Sequence, residues 1–306
     1  MTLRVTFLGT SGAVPTAGRN PSSVHVNREG EEFLFDVAEG TQRQMMRFGT
    51  GFSISAIFLT HVHGDHVLGL PGLCQTMAFN ERTAPLSITT PAGTGGRVRT
   101  LLTAIDDGPS FRVDIHEVRA GETAFSGEGY DVRTFETDHR TRSVGYALVE
   151  DDRKGRFDRE RAEELGVPEG PLFSRLHEGE TVELEDGTLV EPGEIVGPPR
   201  PGRRLVYTGD TRPAETVVEA ARDADLLIHD ATFVEEAATR ARETGHATAR
   251  EAAEVAERAG AKRLALTHVS SRYAGNVSAL ATEAVDVFEG AFVAEDGQRI
   301  DVPYPE

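Results

Sequence analysis

The chain has 306 residues, 38% hydrophobic and 27% charged, long enough to bury a core as one large domain or two ordinary ones. A single cysteine, Cys74, excludes a disulfide framework and any cysteine-based zinc ribbon, so a metal would need nitrogen and oxygen ligands and the chain reads as cytoplasmic. Acidic residues outnumber basic ones 50 to 32, for a formal net charge of −18, and only Lys154 and Lys262 are lysines; this halophile-like composition keeps a chain soluble in concentrated salt and repels polyanions at low salt.

The opening MTLRVTFLGT has no signal-peptide form, and nowhere do about 18 apolar residues run together, so neither secretion nor a membrane span is expected. Strand-like runs LRVTFLG, EFLFDV and SAIFLT come first, followed by LPGLCQTMAF as a helix. Further strands are predicted at LSITT, RVDIHEV, YDVRTFET and SVGYALV, then at RRLVYTGD, DLLIHDATF and RLALTHV. Helices are predicted at PAETVVEAARDA, TAREAAEVAERAG and SALATEAVDVF, which makes this an α/β chain of mixed strand order. From about Asp151 to Arg204 the sequence turns charged and rich in glycine and proline, too long for a plain connection inside a compact domain. It reads as an arm inserted into one domain spanning 1–306; the alternative is a disordered insertion, although GVPEGPLFSRL carries enough apolar residues to dock. No fixed-period repeat is visible.

The strongest chemical signal is FLTHVHGDH, where a hydrophobic strand delivers His61, His63, Asp65 and His66 within six residues. Imidazoles two apart in an extended segment lean the same way and can share a metal, while the Gly64 turn swings Asp65 and His66 toward a second. His139, Asp210 and His268 each close a strand-like run. Taken singly these are ordinary loop residues; with the histidine-rich loop they form five imidazoles and two carboxylates, suited to two borderline-soft divalent ions sharing a carboxylate.

HVHGDH, a lone later histidine, an aspartate in a GDT turn and a late strand-end histidine resemble the metallo-β-lactamase superfamily. More narrowly, FLGTSGAVPTAGRNPSS, FLFDVAEGTQRQ, YTGDTRP, LIHDATF, GHATAREA and LTHVSSRY together resemble the ribonuclease Z family, whose members trim the 3′ end of precursor tRNA. The resemblance implies an αββα four-layer sandwich with a protruding arm, and two Zn2+ per subunit, with Mn2+ as the alternative. It implies that His61, His63 and His139 bind one ion, that Asp65, His66 and His268 bind the second, and that Asp210 bridges them. Asp36 would support the ligand loop by fixing an imidazole; otherwise it is a polar strand end.

GHAT places His246 and Thr248 at the entrance of a helix, where N–H groups and dipole suit phosphate and a histidine can deliver a proton. For Thr248 the alternative is a plain N-cap. In PTAGRN, Ala17 stands where the family usually has a basic residue, while Arg19 and Asn20 match and are expected to contact the RNA. Asp230 stands where a glutamate is common, a shorter carboxylate that repositions a hydrogen bond. His25, His116, His177 and His229 read as structural or surface residues.

The expected reaction is in-line hydrolysis with Asp65 orienting or deprotonating the water and His246 protonating the departing 3′ oxygen. Salt weakens counterion release, so an acidic protein acting on RNA must rely on local features: metal ions, helix ends, shape and clusters of arginine. Arg153, Lys154, Arg156, Arg159 and Arg161 at the start of the arm, with Arg200, Arg203 and Arg204 at its return, fit that need; otherwise they are a solvated face interleaved with acids. In the family the arm grips the tRNA elbow and a homodimer lets one subunit's arm serve the other's site. Two rivals remain, a phosphodiesterase acting on small molecules and a non-catalytic, metal-loaded RNA-binding module.

Overall fold

The computed structural model describes residues 2–104 and 108–305. It divides into two compact units, Met1–Val149 with Arg203–Pro303, and Glu150–Gly202 with Tyr304–Glu306. Among the described residues no helix is long and apolar enough to cross a membrane.

The larger unit contains two seven-stranded sheets. The first runs, in spatial order, Arg299–Asp301, Leu3–Gly9, Ser23–Arg28, Glu31–Phe35, Ile54–Phe58, Leu86–Pro91 and Val113–Val118. The second runs Ala291–Val293, Leu264–Thr267, Leu226–Asp230, Arg204–Tyr207, Val144–Glu150, Tyr130–Glu136 and Thr123–Gly127. Side chains alternate across each strand, so Val5, Phe7, Val24, Val26, Phe33, Phe35 and Phe58 turn inward to meet Tyr146, Leu148, Leu205 and Ile228 of the second sheet. Leu8, Leu34, Ile57 and Ile88 turn outward, in one cluster with Met45, Leu73 and Met77 from the helices Thr41–Phe48 and Leu70–Phe79. Val206, Leu227 and Leu266 do the same under the helices Glu215–Ala220, Ala249–Ala259 and Ser278–Val285. Helix, sheet, sheet and helix thus form the four layers of the metallo-β-lactamase fold; each fully buried large aliphatic or phenyl side chain contributes roughly 1.5–3 kcal/mol.

The central strands of each sheet are parallel to one another: Glu31–Phe35, Ile54–Phe58 and Leu86–Pro91 in one, Arg204–Tyr207, Leu226–Asp230 and Leu264–Thr267 in the other. Their carboxyl ends therefore collect at sheet edges, where open α/β sheets place ligands. Four strands absent from the sequence reading complete the sheets: Ser23–Arg28, Thr123–Gly127, Ala291–Val293 and Arg299–Asp301. The helix expected over 213–224 spans only Glu215–Ala220, and Asp223 just beyond it has a positive φ of 54°.

The smaller unit is not an unstructured insertion. Its helices Arg159–Glu164 and Pro171–His177 and a two-residue antiparallel pairing of Val182–Glu183 with Leu189–Val190 enclose a core of Ala162, Val167, Leu176, Val182, Val190 and Ile195. Arg159 pairs with Glu169, Arg161 with Glu164 and Arg175 with Glu180, so part of its positive charge is neutralised internally.

Candidate active site

The loop after Ile54–Phe58 enters the site through Thr60. Its N–H and hydroxyl both donate to the Asp36 carboxylate, each at 2.8 Å, and Tyr207 Oη donates to the same carboxylate at 2.9 Å. His66 Nδ1 lies 2.7 Å from Asp36 Oδ2, so this nitrogen carries the proton and Nε2 is left as a lone-pair donor. Asp36 is wholly buried, and these four bonds are what make an ionised carboxylate tolerable there. Asp36 and His268 both have positive φ, 57° and 59°, a conformation non-glycine residues adopt rarely. Asp210 is delivered by Gly209, whose φ of 60° places no Cβ against the Thr60 side chain.

The same tautomer logic recurs. Thr60 Oγ1, already donating to Asp36, accepts from His61 Nδ1 at 3.1 Å; the Gly245 carbonyl accepts from His139 Nδ1 at 2.8 Å; Thr232 Oγ1, donating to Asp230 at 2.7 Å, accepts from His268 Nδ1 at 2.9 Å. Each bond frees Nε2. His61 Nε2 lies 3.0 Å from His63 Nδ1 and 3.6 Å from Asp210 Oδ2, and His139 Nε2 lies 3.5 Å from His63 Nδ1. On the other side, His66 Nε2 and His268 Nε2 are each 3.2 Å from Asp210 Oδ1, and Asp65 Oδ2 is 3.2 Å from His268 Nε2 and 3.6 Å from His66 Nε2.

Three groups result, each with its donor atoms within 4.8 Å of one another: His61, His63, His139 and Asp210; Asp65, His66, Asp210 and His268; and, overlapping the second, Asp210, Asp230, His246 and His268. Asp210 gives one oxygen to each of the first two. Spacings of 3.0–3.6 Å between atoms that are all lone-pair donors are those around a divalent cation with ligands at about 2.0–2.1 Å. His66 Nε2 and Asp210 Oδ1 are buried with no hydrogen-bond partner, which a shared cation would supply. Burial opposes charge on Asp210, yet the surrounding imidazoles hold its carboxyl well below the ordinary range. Burial likewise opposes charge on His66, yet Asp210 and Asp36 favour it strongly, so the site draws positive charge to Nε2, as a proton or as a cation in its place.

His246 adjoins this centre. Its ring stacks on His268 at 4.9 Å, its Nδ1 is 2.8 Å from Asp230 Oδ2, and Arg212 holds its carbonyl at 2.7 Å while clasping Glu251 with both guanidinium nitrogens. Asp230 thus bonds His246 directly. Asp65 Oδ2 also accepts from Ala13 N–H at 2.8 Å.

Two expected RNA contacts are placed otherwise. Arg19 is buried, with Nη1 donating to Thr10 Oγ1 and the Ala294 carbonyl, so its guanidinium faces the protein interior. Thr248 is fully buried and forms a capping box with Glu251, its hydroxyl also donating to Glu235 Oε2, the N-cap alternative. Asn20 is half-buried, its side-chain amide donating to the Glu39 carbonyl at 2.7 Å. Thr60, Tyr207, Thr232 and Arg212 went unnoticed in the sequence because hydroxyls and an arginine carry no spacing signal.

A two-sheet sandwich with this imidazole and carboxylate set at its rim defines a divalent-metal hydrolase of the metallo-β-lactamase superfamily, and residues 33–157 and 191–269 match the family model described as a beta-lactamase superfamily domain. The chain is 61% identical to ribonuclease Z of Natronomonas pharaonis over the full length of both, and 61% identical to ribonuclease Z of Haloferax volcanii over all of this chain and 97% of that one. Its fold matches the crystal structure of the short form of human tRNase Z (ELAC1) with a TM-score of 0.70 and 29% identity, covering 98% of this chain and 99% of that one. The chain belongs to the ribonuclease Z family and is an endoribonuclease. The halophile relatives fit its acidic composition.

Proposed function

We propose that the chain removes the 3′ trailer from precursor tRNA in the cytoplasm, leaving a 3′-hydroxyl on the tRNA and a 5′-phosphate on the trailer. The observation that carries the reading is Asp210, which presents one carboxylate oxygen to each of two imidazole-rich donor groups. His61, His63 and His139 would hold one Zn2+, Asp65, His66 and His268 the other, and Asp210 both. Zinc, or manganese in its place, supplies at such a site an acidified water and neutralisation of phosphoryl charge.

Asp65 acts on the water. Burial opposes its charge, but the neighbouring His268 and His66 rings hold its carboxyl below the usual range, so it is an acceptor throughout the neutral region. It orients the water and takes its proton as the oxygen to phosphorus bond forms. On the opposite side the bond from phosphorus to the 3′ oxygen breaks, and His246 delivers a proton to that oxygen. Asn20 contacts the RNA, whereas Arg19 and Thr248 act through the loops they brace.

The unit Glu150–Gly202 is the substrate-binding arm, and the enzyme works as a homodimer. Met46, Leu68 and Phe79, exposed at 68%, 51% and 88%, supply apolar surface for a second copy. The test is incubation with labelled precursor tRNA at several salt concentrations, with and without chelator. A unique cut after the discriminator base, lost on chelation, is expected; scattered or chelator-insensitive cuts would overturn the reading.

A further inference from the structure

The edge that carries the metal-ligand loop continues into a second cationic site. Because Glu31–Phe35, Ile54–Phe58 and Leu86–Pro91 are parallel neighbours, their carboxyl ends follow one another at roughly 4.8 Å intervals. The first leads to Asp36, the second to His61 through His66, and the third to a turn that opens the helix Gly95–Leu102. The segment carrying His139 returns to this same edge, since Val144 N–H donates to the Thr60 carbonyl at 3.0 Å. Arg142 therefore stands two residues before a backbone bond to the neighbour of His61 and three residues after His139.

Between the two segments lies a cavity of about 280 Å3 lined by Gly93, Thr94, Arg97, Thr141 and Arg142. Arg142 lies directly over Gly93, its Nη1 in the space a Cβ would take, and Gly93 has a positive φ of 82°, a conformation that favours glycine. Arg142 makes one long bond, 3.5 Å, to the Ala92 carbonyl, and among the described residues neither Arg97 nor Arg142 forms an ion pair. Glu117 accepts from the N–H groups of Gly93 at 2.8 Å and Gly95 at 2.7 Å and lies in the field of Arg142 without an ion pair to it, so the amides have an anion of the chain's own while both guanidinium groups keep their donors for another. In a chain with 50 acidic residues against 32 basic ones, two exposed arginines that form no ion pair, on the edge that leads from the donor set, suit the backbone of an RNA substrate.

We propose that Arg97 and Arg142 hold a backbone phosphate of the RNA adjacent to the scissile one, a subsite separate from the metal-ligand set and from the arm. This inference rests on the ribonuclease reading above. Forked guanidinium contacts suit a salt-rich setting, because their hydrogen bonds act at contact distance, where screening is weakest.

The test compares the wild type with Arg97→Gln/Arg142→Gln and Arg97→Lys/Arg142→Lys double variants on precursor tRNA across a salt series, with metal content and melting temperature checked for each. The glutamine variant is expected to raise KM about tenfold and to flatten the dependence of log KM on log salt by roughly 0.7, one phosphate contact on a single strand. The lysine variant should recover most of that slope and part of the affinity. A glutamine variant with wild-type KM and slope, while the wild type cuts the precursor, overturns the subsite and leaves the ribonuclease reading standing. A wild type that does not cut precursor tRNA overturns both.

Discussion

Nδ1 of His246 and Oδ2 of Asp230 lie 2.8 Å apart, a charge-assisted contact at the edge of the metal-ligand set. Burial works against charge on the ring, but the carboxylate prevails and His246 is pushed up to about 9 from an ordinary value of 6.5. Burial also opposes charge on Asp230, whose carboxyl is nonetheless pulled down by the same partner. A proton is thus present on His246 at neutral pH and leaves as the pH rises through the raised value.

Asp230→Asn removes the charge and keeps the shape. The alkaline fall in kcat is expected to move to lower pH by one unit or more, read from a pH series at saturating precursor. Because the raised histidine value stabilises the fold below its unfolded pKa and loses that effect as pH climbs toward 9, the variant's deficit in melting temperature should shrink above that pH. His246→Ala is expected to lower the rate of chemistry about 10²-fold or more with little change in RNA affinity; a defect confined to affinity would assign the ring to phosphate binding.

His63 is exposed, so His63→Ala leaves the core untouched. With Asp65→Ala it is expected to retain the wild-type circular dichroism spectrum and lose nearly all cleavage of precursor tRNA. Full activity of the Asp65 variant, with its metal content verified, would remove Asp65 from its role.

Asp36→Asn keeps the volume but replaces an acceptor of four bonds with a group that has fewer lone pairs and its own donors. His66 then loses what fixes its tautomer. A 10- to 100-fold weaker hold on one metal equivalent is expected from chelator competition; unchanged competition curves would show that the imidazole is fixed elsewhere.

Deleting about Arg156 to Gly179 is expected to reduce precursor tRNA processing far more than hydrolysis of a small phosphodiester. The deletion also removes Ala162, Val167 and Leu176 from the arm's own core. Equal losses on the two substrates would give the arm a folding role instead of a recognition role.

Much of this architecture was legible because it is periodic. The helix Ala249–Ala259 and the strand Ile54–Phe58 announce themselves by spacing, and the latter ends in the only dense run of imidazoles. Ser23–Arg28 alternates polar and apolar residues but offers only two valines, too few to stand out, and the three-residue strands Ala291–Val293 and Arg299–Asp301 are too short to show a period. The direction in which a side chain turns is not local information. Nothing local tells that Arg19 turns inward to Thr10 and Ala294, nor that Asp36 meets a tyrosine 171 residues away.

The donor atoms come from residues 61 through 268, and Asp210 joins groups drawn from both sheets. A nascent chain that has not yet released His268 holds only part of the second donor group. The cutting centre therefore comes together only once both sheets are in place, so a folded scaffold precedes any capacity to cut RNA.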